Sequence, residues 1–195
     1  MRIVGGRLSG RRFGAPGGRS TRPTSDRARE ALGSALESRG AFDGAHVLDL
    51  FAGTGALGFE ALSRGASDAV LVDNDPQAVR QIKRSADELG LGPQVRAVRL
   101  DLLADPASVV RKLPSMGRAF SLVFADAPYS EAGAIPGILR ALAAAERLAA
   151  GAWVAIEHSA SHRWSWPNGL APDADYRYGR AGISLGVFAA EKGRQ

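Results

Sequence analysis

The sequence predicts an α/β protein built on a doubly wound, mostly parallel seven-stranded sheet, Rossmann-like in its winding. Three observations carry that expectation. Apolar β-prone runs and amphipathic runs alternate from residue 46 to residue 158, the pattern of parallel strands joined by crossover helices. A glycine-rich turn, "FAGTGALG" (51–58), separates the first of those strands from the first of those helices. Two β-prone runs then follow each other directly near the end of the chain, the pattern of a closing antiparallel pair.

Each element has its own signal. "RIVGGRLSGRRF" (2–13) has β-prone ends around two glycine turn signals and predicts a small hairpin. "GAPGGRSTRPT" (14–24) is a Gly/Pro loop. Thr24 and Ser25 open a helix, "DRAREALGSALES", with an apolar stripe of Ala28, Ala31, Leu32, Ala35 and Leu36. Strands are expected over 46–51, 68–73, 95–101, 120–126 and 152–158. Helices are expected between them over 56–65, 76–90, 106–113 and 135–149, with Pro76 at a first helical turn. The closing pair falls at 175–180 and 183–190. The chain thus divides into a basic hairpin and loop (1–24) and a main domain (25–195).

Composition narrows the function. With no cysteine, disulfides and thiolate chemistry are excluded, and His46, His158 and His162 are too scattered to suggest a metal site. There is no apolar run of membrane-spanning length, and the basic N-terminus has no apolar stretch of the kind a secretory signal needs. A cytoplasmic monomer is the expectation. The charge is localised: residues 1–30 hold eight arginines against Asp26 and Glu30, whereas the rest of the chain has 17 basic and 18 acidic residues. Arginine outnumbers lysine 22 to three. Guanidinium forks suit phosphate oxygens and stack on bases, so a nucleic acid is the natural partner.

The glycine-rich turn is the first candidate site. Gly53, Gly55 and Gly58 fit G-x-G-x-x-G, which lets backbone approach a ligand closely. Asp73 closes the next strand, where a carboxylate can accept from ribose hydroxyls. That much would suit a nicotinamide dinucleotide. Asp49, four residues before Gly53, argues otherwise, because it suits a cationic head and would crowd a pyrophosphate. Asp101 is expected at the end of the third strand, where it could accept from an adenine amine. A ligand with an amine, a ribose and an adenine but no phosphate fits S-adenosylmethionine.

The second candidate is "DAPY". Asp126 closes the fourth strand on the same sheet edge. An exocyclic base amine is a poor nucleophile, because its lone pair is delocalised into the ring. Acceptors for its two N–H groups favour pyramidal nitrogen and stabilise the charge that develops there. Asp126 supplies one acceptor and the backbone carbonyl of Ala127 a second. Pro128 holds Ala127 extended, and Tyr129 can stack on the base.

Together these residues resemble the RsmD family, the bacterial 16S rRNA (guanine-N2)-methyltransferases. "RIVGGRLSGRR", "TRPTSDRARE", "DLFAGTGALGFEALSRGA" and the D-x-P-Y element come in that family's order and spacing. The resemblance implies a class I S-adenosylmethionine-dependent methyltransferase fold with a short N-terminal β-hairpin extension. It implies cofactor binding by Asp49, Phe51, Gly53 and Gly55, with Asp73 and Asn74 at the ribose and Asp101 and Leu102 near the adenine. Thr21, Arg22, Pro23 and Thr24 would close over the methionine end. It further implies methyl transfer to N2 of one guanine in 16S rRNA of the small ribosomal subunit or its late precursor. Arg7, Arg11, Arg12, Arg22 and Arg27 would contact the RNA.

Two positions depart from the family. Its usual Asp-Pro-Pro-Tyr or -Phe has Ala127 in place of the first proline, a loss of rigidity of about 0.4–1 kcal/mol. Its usual Phe-Asn pair is Gly33-Ser34 here, and the glycine is expected to loosen its helix by about 1 kcal/mol.

Other readings keep part of the evidence. An adenine-N6 or cytosine-N4 DNA methyltransferase shares the chemistry, but the chain has no room for a target-recognition domain. A nicotinamide-dependent reductase would need a proton donor such as a Tyr/Lys pair, and none is evident. A catalytically weak RNA-binding assembly factor with the same fold would treat Ala127 as a sign of decay.

Overall fold

The computed structural model describes residues 1–14, 26–114, 117–161 and 164–189. Its strands are β1 (His46–Leu50), β2 (Asp68–Asp73), β3 (Val95–Arg99), β4 (Phe120–Ala125), β5 (Leu148–Ser159), β6 (Leu170–Tyr178) and β7 (Ala181–Phe188). Its helices are α1 (Asp26–Glu37), α2 (Ala56–Ser63), α3 (Pro76–Leu89), α4 (Pro106–Lys112) and α5 (Ile135–Ala144). All seven strands form one sheet in the order β3-β2-β1-β4-β5-β7-β6. β1 to β5 are parallel, and β7 is antiparallel to both of its neighbours. The winding reverses between β1 and β4, where sheets of this kind open a crevice at their carboxyl edge.

Two cores lie on either side of the sheet. Leu32 and Leu36 of α1, Phe59 and Leu62 of α2 and Ile82 of α3 pack on one face with Val47, Leu71 and Phe124. Val109 and Val110 of α4 and Ile138, Leu139 and Leu142 of α5 pack on the other with Leu48, Leu50, Val72 and Ile156. Several boundaries differ from expectation. α5 ends at Ala144 and β5 already starts at Leu148, so the last residues of the helix expected over 135–149 belong to the strand. β3 stops at Arg99, two residues before Asp101. β6 starts at Leu170, earlier than its β-poor "LAPDAD" suggests, because it is the edge strand. Pro172 can sit there, at a register shift, with its missing N–H facing away from the ladder.

The N-terminal segment is a short, irregular hairpin. Its arms pair antiparallel at Arg2 and Arg12, with Ile3 N donating to Arg11 O (3.0 Å) and Phe13 N to Met1 O (3.1 Å), around a 3-10 turn at Gly6–Leu8. The backbone donors nearer the turn go to α2. The Glu60 carboxylate accepts from Val4 N (3.0 Å) and Gly5 N (2.8 Å), and Ser63 Oγ accepts from Leu8 N (2.9 Å). Ile3, Leu8 and Phe13 are buried in the α1–α3 core.

The same corner explains Gly33. Arg64 is buried to 3% side-chain exposure, and its guanidinium reaches Glu60 (2.9 Å), Glu37 (2.7 Å) and Glu30 (3.2 Å). A Cβ on Gly33 would lie 2.6 Å from Arg64 Cζ, and one on Gly5 would lie 1.9 Å from its Nη2. The glycine expected to loosen α1 is therefore what lets a buried cation pass between α1 and the N-terminal segment. Helix propensity favours alanine by about 1 kcal/mol. Removing one partner of a buried ion pair costs about 3–5 kcal/mol, and pushing the guanidinium off the buried Glu60 loses part of that. Gly33→Ala is accordingly expected to lower the thermal unfolding midpoint, opposite in sign to the propensity scale, as read by differential scanning calorimetry.

Candidate active site

Strand register assembles the site. Leu50 lies opposite Val72 and Ala125, and Ala125 lies opposite Ile156. The next residue on each strand is Phe51, Asp73, Asp126 and Glu157. Side chains alternate along a strand. Leu50, Val72, Ala125 and Ile156 fill the α4/α5 core, so their successors turn to the opposite face. Asp49 shares that face one step earlier, opposite Leu71 and Phe124. Four adjacent strands thus contribute carboxylates to one edge and face of the sheet. They line a cleft of about 720 Å³ together with the loops after β1, β3 and β4.

The loop after β1 is held by these acids. It departs from the strand through Phe51 in the left-handed region (φ 60°), followed by Gly53 (φ 53°) and Gly55 (φ 78°). A non-glycine residue held there costs about 1–3 kcal/mol, which the surrounding bonds offset. Asp73 accepts from Gly53 N with one oxygen (2.8 Å) and from Asp75 N with the other (2.8 Å). The Asp49 carboxylate accepts from Gly58 N at 3.0 Å. Gly55 and Gly58 lie beneath the loop, where an added Cβ would come within 2.9 Å or 3.0 Å of Leu71. Burial pushes the Asp49 pKa up to about 8; the Gly58 amide opposes the shift, and Asp126 and Asp73 add to it.

Ten expected residues come together in the cleft: Asp49, Phe51, Gly53, Asp73, Asn74, Leu102, Asp126, Ala127, Pro128 and Tyr129. Tyr129 is 48% exposed at the mouth. Two expected residues, Gly55 and Asp101, are not in the lining; Gly55 packs beneath the loop against Leu71 and Phe59. Asp101 is exposed beyond β3, and its carboxylate accepts from Leu103 N (2.9 Å), a turn that presents Leu102 and Leu103 to the cleft. Thr21, Arg22, Pro23 and Thr24 lie outside the described residues.

The remaining arginines spread along the flank. Arg7 donates to Gln94 (3.2 Å), just before β3. Arg11 donates to the carbonyls of Glu88 (2.7 Å) and Leu89 (3.1 Å) at the C-terminal end of α3. Both therefore sit toward the end of the sheet away from the cleft. Arg12 is exposed and is bridged through its backbone to Arg2, next to the cleft-lining Met1. Arg27 is exposed on α1.

Sequence reasoning missed Arg29, which lines the cleft although it is only 2% exposed. Its guanidinium donates to Arg2 O (2.8 Å) and to Asp26 (2.7 Å). A signal was present: positions 29, 32, 33 and 36 share one helix face, so Arg29 stands on the apolar stripe. Glu157, at the end of the fifth expected strand, where the sequence leaves a site-lining and an edge or capping role equally open, lines the cleft.

The sheet order and the acid-lined crevice define a class I methyltransferase fold, whose methyl donor is S-adenosylmethionine. Residues 1–186 match the family model described as "Conserved hypothetical protein 95". The chain is 36% identical over 131 residues to "Putative rRNA methyltransferase YlbH" of Bacillus subtilis, covering 67% of this chain and 68% of that protein. It is 36% identical over 129 residues to "Ribosomal RNA small subunit methyltransferase D" of Escherichia coli K12, covering 66% of this chain and 60% of that protein. The solved structure titled "Putative methyltransferase yhhF from Escherichia coli" superposes with a TM-score of 0.82 at 28% identity, over 98% of this chain and 99% of that one. The chain belongs to the RsmD-type family and is a methyltransferase.

Asp49 makes a prediction about pH. Unfolded, it titrates near 3.8; folded, at about 8. Between those values the folded state holds a proton that the unfolded state lacks. The contribution of Asp49 to stability therefore falls as pH rises through that window and is lowest above 8. Asp49→Asn keeps an acceptor for Gly58 N and removes the charge. It is expected to raise the ligand-free thermal midpoint by an amount that grows from pH 5 to pH 8.5. It should also lose most of the thermal shift that S-adenosylmethionine gives the wild type.

Proposed function

We propose that this chain transfers a methyl group from S-adenosylmethionine to the exocyclic N2 of a guanine in 16S rRNA, acting as a cytoplasmic monomer on the small ribosomal subunit or its late precursor. The observation that carries the reading is the Asp126–Tyr129 turn standing in the same cleft and strand row as the Asp73 carboxylate. The names of the two relatives, both rRNA methyltransferases, support an rRNA substrate. No helix among the described residues is long and apolar enough to cross a membrane.

The residues fit the cofactor. A cleft of about 720 Å³ suits a small-molecule ligand, and its acidic lining complements a cationic one. Gly53 in the left-handed region lets backbone approach closely. Asp49 would face the methionine end, Asp73 and Asn74 the ribose, and Leu102 the adenine. When bound, S-adenosylmethionine supplies a methyl group on a cationic sulfur.

The protein's own task is to prepare the guanine amine. Asp126 accepts one N–H of that amine. The Pro128 carbonyl is already used by Glu131 N (2.7 Å) and Ala132 N (3.1 Å), which fixes the turn and leaves the Ala127 carbonyl for the other N–H. With both hydrogens held, the nitrogen lone pair is freed from the ring and points along the cleft. The nitrogen sheds a proton once alkylated, so no strong base is required beforehand. Tyr129, half-exposed at the mouth, offers a stacking face to a base turned out of its helix.

Transfer of labelled methyl to small subunits from cells lacking the enzyme tests the reading, with naked 16S rRNA and duplex DNA in parallel. Label at a guanine N2 is expected. Asp126→Ala should lower kcat by roughly 10²–10³-fold, with the cofactor-induced thermal shift retained. Label on DNA, or on another atom of the rRNA, would replace this reading.

Salt dependence tests the arm. Arg12→Gln should weaken binding to small subunits and reduce the slope of log affinity against log salt by about 0.7–0.9. Arg11→Gln should instead lower stability as well, because its guanidinium holds the end of α3.

A further inference from the structure

We propose that Glu157 reads the identity of the target base by accepting the N1–H of guanine; this rests on the guanine-N2 reading above. The argument begins with order along the sheet edge. Across β2, β1, β4 and β5 the row runs Asp73, Phe51, Asp126, Glu157. Asp73 marks the cofactor side and Asp126 the reacting amine, so Glu157 lies beyond the amine, on the substrate side. Neighbouring parallel strands are about 4.8 Å apart, which makes Asp126 and Glu157 adjacent carboxylates lining one cleft.

Guanine is the base that matches such a pair. Its pairing edge presents two adjacent donor groups, the N2 amine and N1–H. Adenine and cytosine also carry an exocyclic amine, but the neighbouring ring nitrogen is an acceptor. A carboxylate facing that lone pair is repelled and loses its solvation without gaining a bond. Asp126 alone would serve any of the three amines, and Glu157 beside it would serve guanine.

The end of β5 is built to hold this residue still. Glu157 lies opposite Ile183 of β7, which is 2% exposed. The next residue, His158, bonds Ser159 O (3.0 Å) and Ser184 Oγ (2.9 Å) through its two ring nitrogens. Ser184 in turn donates to Asp175 on β6. A Cβ on Gly182 would come within 2.6 Å of the His158 ring, so that ring is seated against bare backbone. Three strands therefore fix the direction in which Glu157 leaves β5.

A base with the guanine amine but no N1–H separates reading from support, and 2-aminopurine is such a base. Small subunits are reconstituted from 16S rRNA carrying guanine or 2-aminopurine at the methylated position, and kcat/KM is measured for wild type and Glu157→Gln. Wild type is expected to prefer guanine by at least roughly 10²-fold, the scale on which a site built around a hydrogen bond rejects a ligand lacking it. The glutamine amide can donate to the N1 lone pair of 2-aminopurine. Glu157→Gln should therefore lower the guanine rate and raise the 2-aminopurine rate, reducing the ratio at least roughly tenfold.

Equal loss on both substrates, or no change on either, would overturn the role and leave Glu157 as a structural residue. So would a wild-type enzyme that methylates both bases equally. A wild type that leaves guanine N2 unmodified would overturn the underlying reading together with this one. The cofactor-induced thermal shift, expected to be unchanged in Glu157→Gln, shows that the variant is folded.

Discussion

The hydrogen bond from Gly58 N to the Asp49 carboxylate is the constraint on which the rest of the site depends. It joins β1 to the start of α2 and fixes the span of the loop between them. Only with that span fixed can Phe51 and Gly53 be held at positive φ, and only then does Gly53 N meet Asp73 across the β1/β2 gap. The bond is made by a carboxylate that burial has pushed to a pKa of about 8. The chain retains a buried acid where a neutral acceptor would fold at lower cost. A stability optimum would place an amide there; an acid is what a cationic ligand requires.

α2 carries that constraint outward. Its first turn belongs to the glycine-rich loop after β1, whereas its last turn holds the N-terminal segment through Glu60 and Ser63 and reaches α1 through Arg64. α1 then returns Arg29 to the cleft, where its guanidinium is braced by Arg2 O. A closed circuit results, from β1 through α2, the N-terminal segment and α1 back to the site. It explains why a basic segment that sequence alone presents as an appendage has Ile3, Leu8 and Phe13 in the core. It also explains why glycine stands at positions 5 and 33, on either side of one buried guanidinium.

The fold was legible in the sequence because its signals are local. Alternating runs, glycine turns and helix-opening residues each act within a few positions, and the sheet order follows from the crossover rules. The strand-end acids were legible for the same reason, with the exception of Asp101, where "VRLD" reads as continuous strand but β3 stops at Arg99. What stayed hidden was relational. Nothing near Gly33 announces Arg64, which is 31 positions away in sequence. Arg29 looked like one more basic residue of the arm until its helix face was set against the cleft. Glu157 gained meaning from the register of β4 and β5, which places it beside Asp126. A reader of sequence sees residue types and spacing; these roles arise from which strands become neighbours.

Charge is divided in a way that bears on how an RNA would engage. The arginine surplus lies in the first 30 residues, whereas among the described residues the cleft is lined by Asp73, Asp126, Glu131 and Glu157, with the buried Asp49 behind them, against one basic side chain, Arg29. Phosphates are drawn to the flank and repelled from the cleft. The part of a nucleotide that suits such a cleft is one that brings donors and no negative charge: a base edge. On the reading proposed above, the two adjacent carboxylates at the ends of β4 and β5 select an edge with adjacent N–H groups. The same separation keeps the anionic backbone from competing for the site of a cationic methyl donor. Steering by the flank and exclusion by the cleft act on different parts of one substrate, so both can be strong without opposing each other.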